Sequence, residues 1–136
     1  MRRGFTLEEV LACMAVVAIL AALAIPSWQS LLQRTRRVDA AAALHAVATA
    51  QERFRLVHGR YADAAAPGPP VGLGLGTSER GWYRLRIERA GESDFIASAR
   101  PAAGSPQARD RDCLLLTIDQ AGTRNSAPGP PERCWP

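Results

Sequence analysis

Two adjacent carboxylates, Glu8 and Glu9, stand directly before an unbroken apolar run, VLACMAVVAILAALAI, from Val10 to Ile25. Charge at the edge of such a run needs a partner, because moving a carboxylate toward hydrocarbon carries a large desolvation cost. A helix N-terminus supplies part of one, worth roughly 0.3–1 kcal/mol per carboxylate. A free ammonium supplies more. Cleavage after Gly4 would leave one on Phe5, four residues from Glu9. Glu9 could then pair within its own helix or with the amine of a neighbouring chain. A helix begun at Phe5 covers about 30 Å of hydrocarbon. The run is open to three readings: a secretory signal with Arg2 and Arg3 as its basic region and a cut near Ala22-Leu23-Ala24, an uncleaved anchor, or a segment cut at Gly4 and retained. The carboxylates argue against the signal peptide, which places its basic residues directly against the apolar run.

The other reactive side chains do not assemble into a catalytic centre, and the sequence predicts no enzyme, no cofactor and no metal. His45 and His58 are the only histidines, and both read as helix-surface or cap residues. Asp110 and Asp112 flank Arg111 without the ligand-rich loop that calcium needs, so a solvated charge run is preferred. Gly72, Gly74 and Gly76 precede no helix and read as a surface loop rather than a phosphate cradle. Of the three cysteines, Cys13 reads as a small buried hydrophobe within the apolar run. Cys113 and Cys134 are too few and too far apart for zinc. They read as one disulfide, in an oxidising compartment, closing a loop worth about 3 kcal/mol.

The net charge is +4 and all 17 basic residues are arginine. Nucleic acid or lipid headgroups would suit this excess, although an ordinary solvated surface explains it as well. Trp82 and Trp135 stand near Arg84, Arg86 and Arg133 and could stack on single-stranded nucleic acid. Packing in the core or on a sheet face is the simpler role for both.

The order Gly4-Phe5-Thr6-Leu7, then Glu9, then an apolar run ending Ala24-Ile25-Pro26 resembles the class III signal of type IV pilins and pseudopilins. The resemblance implies that prepilin peptidase cuts between Gly4 and Phe5, that Phe5 is N-methylated, and that Glu9 docks the subunit into a filament. Glu8 departs from the common pattern. The arginines on either side of the run leave the positive-inside rule ambiguous. The cysteine pair and the resemblance place the C-terminal part outside the cytoplasm.

The elements that must carry these residues follow from the pattern. Residues 27–58 hold no glycine or proline and are rich in alanine, which predicts a helix. Val38, Leu44, Val47, Phe54 and Val57 are its expected apolar face. Pro26 is the expected kink and Gly59 the C-cap. Residues 59–80 read as a loop rich in proline and glycine. Alternation predicts strands over 82–88, 95–99 and 113–118. The remainder, 121–136, reads as an irregular tail tied back by Cys134. The expected fold is α+β, with a long N-terminal helix packed on a small antiparallel sheet over 81–120. Its organisation is a leader (1–4), a membrane and polymerisation half-helix (5–26) and a globular part (27–136). Cys113 with Cys134-Trp135 also resembles PilE-type minor pilins. The function implied is a minor subunit of a type IV pilus. Its partners would be other pilin subunits, the peptidase, the inner-membrane assembly platform and the membrane. It would lie in the inner membrane with a periplasmic domain before assembly and in the extracellular pilus afterwards. A DNA-binding pilin for transformation, a type II secretion pseudopilin and an ordinary anchored protein are the alternatives.

Overall fold

The computed structural model describes residues 6–136, with the side chains of Pro26 and Ser27 outside the description. It is an α+β fold in which a long helix, α1 (Leu7–His58), precedes a four-stranded antiparallel sheet. The strands are β1 (Tyr83–Ala90), β2 (Phe95–Pro101), β3 (Cys113–Asp119) and β4 (Arg124–Pro128), in the sheet order β1-β2-β3-β4. A 3-10 turn, Pro106–Arg109, lies between β2 and β3, and a short helix, α2 (Pro131–Cys134), ends the chain. The chain divides into two compact units, Met1–Leu32 and Gln33–Pro136.

In the second unit, α1 presents Arg37, Ala40, Ala41, Leu44, Val47, Gln51 and Phe54 as buried residues. These positions recur at steps of three and four, as one face of a helix requires. Ala40, Ala41, Leu44 and Val47 share a core with Tyr83, Leu85, Phe95, Ala97, Ala99, Leu116, Ile118 and Trp135. This corrects the expected apolar face at two positions. Val38 is 51% exposed and Val57 78% exposed. The buried stripe instead includes two polar residues, each satisfied by tertiary bonds. Gln51 is one: its amide donates to Ala62 O at 3.0 Å and accepts from Ala62 N at 2.8 Å. Arg37 is the other.

Gly59 ends α1 with φ +72°, and its N–H donates to Arg55 O at 2.8 Å. That is a left-handed cap, which glycine adopts without a Cβ penalty. The tail departs from expectation. Residues 121–136 are not irregular, because β4 pairs with β3 from Ile118↔Arg124 to Cys113↔Pro128, and α2 follows. The sheet therefore extends beyond residue 120. At the junction, a Cβ on Gly129 would lie 2.6 Å from Asp112 O and 3.2 Å from the Cys134 sulfur, so only glycine lets the tail close on β3.

Candidate functional site

The N-terminal end of α1 is built by Thr6 and Glu9. The Thr6 N–H donates to Glu9 Oε2 at 2.9 Å and the Thr6 hydroxyl to the same oxygen at 3.1 Å, while Glu9 N–H donates to Thr6 Oγ1 at 3.3 Å. This reciprocal capping box satisfies donors that have no partner within the helix. It also holds the Glu9 carboxylate at the head of α1. Glu8, beside it, is exposed. Gly4 and Phe5 lie outside the described residues. So does the Pro26 side chain on which a kink would depend, although the helical assignment runs unbroken through that position.

Beyond Glu9 the helix is apolar on all sides, and its described large side chains are exposed. Leu7, Met14, Val17, Ile19, Leu20 and Leu23 are all more than half exposed. Cys13 is exposed as well, correcting its reading as a buried residue. A helix in α1 is long and apolar enough to cross a membrane, with a mean hydropathy of 2.5 over its best 18-residue window. A helix that is apolar all round is stable in lipid or among other chains, not in water.

The tail is fixed by two devices. Cys113 and Cys134 are joined, 21 residues apart. Beside them Arg37 forms a buried bidentate pair with Asp110, Nε to Oδ2 at 2.7 Å and Nη2 to Oδ1 at 2.7 Å. Its remaining nitrogen, Nη1, donates to Arg133 O at 2.9 Å. Gln107 adds a bond from Nε2 to Asp110 Oδ2 at 2.7 Å. The hydrogen bonds that Arg37 donates to Asp110 raise the Arg37 pKa further above its ordinary value, against the opposing effect of burial. Asp110 is thus no part of a solvated charge run, although Arg111 and Asp112 are exposed. Trp135 is 8% exposed, and its indole N–H donates to Asn125 O at 2.9 Å. It is a core residue and offers no free stacking face at the surface.

The outer face of the sheet carries arginines. Arg84 stands directly across from Arg100, and Arg86 across from Ser98. Ser98 and Asn125 both pair with Thr117, so the same face continues in polar residues across β3 and β4. Glu88 accepts from the Ser98 hydroxyl at 2.6 Å and lies 3.8 Å from Arg100 Nε. Arg84, Arg86 and Arg100 are all exposed, and Glu88 lies against Arg100. Neither histidine joins this surface: His58 stacks on Phe54 at 4.0 Å, and His45 meets Trp135 edge-on at 6.1 Å. Among the described residues, no group of three or more His, Cys, Asp or Glu side chains could hold a metal ion.

A carboxylate-headed apolar helix, continued into a helix packed on an antiparallel sheet, defines a type IV pilin. Residues 1–25 match the prokaryotic N-terminal methylation motif. Over residues 26–117 the chain belongs to the family described as type IV minor pilin ComP, DNA uptake sequence receptor. It is 33% identical over 108 residues to the type IV major pilin protein PilA of Myxococcus xanthus (strain DK1622), covering 76% of this chain and 47% of that protein. The chain thus spans about half the length of that relative. Its fold is similar to that of the non-core minor pilin PilV of Neisseria meningitidis, with TM-score 0.57 and 18% identity over 78% of this chain and 96% of that one. A type IV pilin from Shewanella oneidensis aligns with TM-score 0.47 and 24% identity, over 76% of this chain and 98% of that one.

Proposed function

We propose that this pilin is a minor subunit held in the inner membrane by α1, cut between Gly4 and Phe5, N-methylated at Phe5 and assembled through α1 into a filament. The observation that carries the reading is the uncovered apolar helix with Glu9 bonded at its head. The apolar half-helices of neighbouring subunits would cover one another. Each Glu9 would compensate the Phe5 amine of an adjoining subunit, and an ion pair in so apolar a layer is strong only if both charges are present. The prepilin peptidase and an inner-membrane platform would act before assembly, with the folded part on the periplasmic side. Glu9→Ala is expected to leave the protein in the membrane with its disulfide formed, and to remove it from sheared filaments. Incorporation at the wild-type level would contradict this role. A type II secretion pseudopilin would share the same N-terminus. The Cys113–Cys134 bridge and the family match support the pilus reading over it.

A second reading, that the folded part binds DNA, is favoured by one observation beyond the family's description. Arg84 and Arg100 face each other in register, and like charges directly opposed across strands destabilise a sheet. A polyanion over that face would relieve the repulsion. Such binding would be set by counterion release, so its salt dependence reports the number of phosphates neutralised. Replacing Arg84, Arg86 or Arg100 by alanine is expected to lower the slope of log affinity against log salt by about 1 each on a duplex. Slopes equal to wild type in all three variants would place DNA elsewhere.

A further inference from the structure

We propose that the end of the folded part at which α1 enters it rests on anionic lipid headgroups, held by Arg34, Arg109, Arg111 and Arg133. The proposal rests on the reading of α1 as membrane-spanning and adds the lipid chemistry that the folded part recognises.

Three tertiary bonds gather these arginines at one end of the second unit. Gln107 Nε2 donates to Gln33 O at 3.3 Å, Arg37 Nε to Asp110 Oδ2 at 2.7 Å, and Arg37 Nη1 to Arg133 O at 2.9 Å. The 3-10 turn and α2 are thereby both fastened to the first turn of α1 in this unit, where Arg34 stands. Arg109 and Arg111 flank Asp110. With the Asp110 carboxylate turned onto Arg37, both neighbours stay at the surface. Arg34, Arg109 and Arg111 are exposed, and none has an ion-pair partner among the described residues. Arg133 meets Asp112 at 3.6 Å, but the two side chains are 65% and 66% exposed, where an ion pair has little net value. On these two segments Asp110 is buried, Asp112 is shared with Arg133, and Glu132 is the carboxylate left exposed and unpaired. The excess is cationic at every accessible pH, and a guanidinium meets a phosphate with two N–H donors.

The occupant follows from what precedes this end in the chain. Trp28 stands just past the apolar run and is 61% exposed, and an indole in such a place favours the headgroup level. Arg34 comes six residues later, and six residues reach at most about 20 Å even when fully extended. Headgroup phosphates are therefore held close at all times, whereas DNA must arrive from solution, and a tethered partner acts at high effective concentration. On the periplasmic side, Arg34, Arg36 and Arg37 would run against the bias that keeps arginines cytoplasmic. Arg37 is accounted for by Asp110, and Arg36 by the Trp82 ring at 4.7 Å. A headgroup accounts for Arg34.

Amide hydrogen exchange of the full-length chain tests this in nanodiscs of phosphatidylcholine and in discs of phosphatidylcholine and phosphatidylglycerol in equal parts. Residues 105–112 and 131–135 are expected to exchange about fivefold more slowly in the anionic discs, the effect of one arginine held near a charged surface. The β1–β2 turn, 91–94, should exchange alike in both. Arg109→Gln with Arg111→Gln should abolish the slowing, and Arg109→Lys with Arg111→Lys should keep most of it. Arg84→Gln with Arg86→Gln, on the sheet face, should leave it as in wild type. Equal exchange in the two discs overturns the lipid assignment and leaves the membrane reading standing. So does slowing that survives the double glutamine variant or spreads to 91–94. Slowing of the same segments in uncharged discs by inorganic phosphate or a short duplex, with no effect of anionic lipid, overturns the assignment in favour of that ligand. A chain that does not copurify with the discs overturns the membrane reading, and this proposal with it.

Discussion

Asp110→Ala is expected to lower the unfolding free energy of the folded part by about 3–5 kcal/mol, the cost of leaving a buried charge without its partner. The side chains of Arg37 and Asp110 are 10% and 3% exposed. With Asp110 gone, Arg37 cannot escape by releasing its proton, because a guanidinium stays charged throughout the accessible pH range. It keeps one bond, to Arg133 O, and Gln107 loses its acceptor on Asp110. Urea denaturation reads the loss as a lower midpoint. The double variant Arg37→Met with Asp110→Leu should recover much of it, because an apolar pair of similar volume often replaces a buried ion pair without loss. A loss below about 1 kcal/mol for Asp110→Ala, in the range of an exposed ion pair, would show that the site is open to water.

Removing the disulfide is the second large effect. Cys113→Ser with Cys134→Ser is expected to cost about 3 kcal/mol, in keeping with a closed loop of this size. Most of that acts on the unfolded chain, whose freedom the bridge restricts. The native tail has other holds. Trp135 is buried and bonded to Asn125 O, β4 pairs with β3, and Gly129 N–H donates to Asp112 O at 2.7 Å. The Trp135 indole N–H should therefore remain protected from hydrogen exchange in the double variant without denaturant. Rapid exchange there, with an unchanged sheet, would mean that the bridge alone holds the tail in the native state. The two predicted losses should not add, since Arg37 binds both Asp110 and the carbonyl of the residue before Cys134.

The fold was legible where periodicity was clean. Tyr83, Leu85, Phe95, Ala97 and Ala99 alternate in sequence and are buried as that alternation requires. α1 ends at the glycine where a cap was expected. What escaped had no periodic signal. β4 reads RNSAP, a short run without apolar alternation, and it is held as a strand by its register against β3 rather than by its own propensity. Arg37 stands beside Arg36 and Arg34 with nothing local to mark it as buried, and Asp110 reads in sequence as part of a solvated charge run. Their pairing across 73 residues leaves no local trace. The one available signal was spacing: Arg37 and Gln51 fall on the same stripe as Leu44 and Phe54. At the N-terminus, Thr6 three residues before Glu9 is a capping-box spacing that could have been read directly. The arginines of β1 were visible as an alternating set. Their opposition to Arg100 depended on register, which sequence does not fix without the turn geometry.

The central claim is that the chain becomes a filament subunit through a new N-terminus at Phe5, paired with Glu9. Intact-mass spectrometry of the protein recovered from sheared filaments tests it most directly. The account predicts a chain that begins at Phe5, carries one added methyl group on its amine and retains the Cys113–Cys134 bridge. A chain that keeps Met1 to Gly4, or one cut after Ala24 and so lacking Glu9, would contradict it.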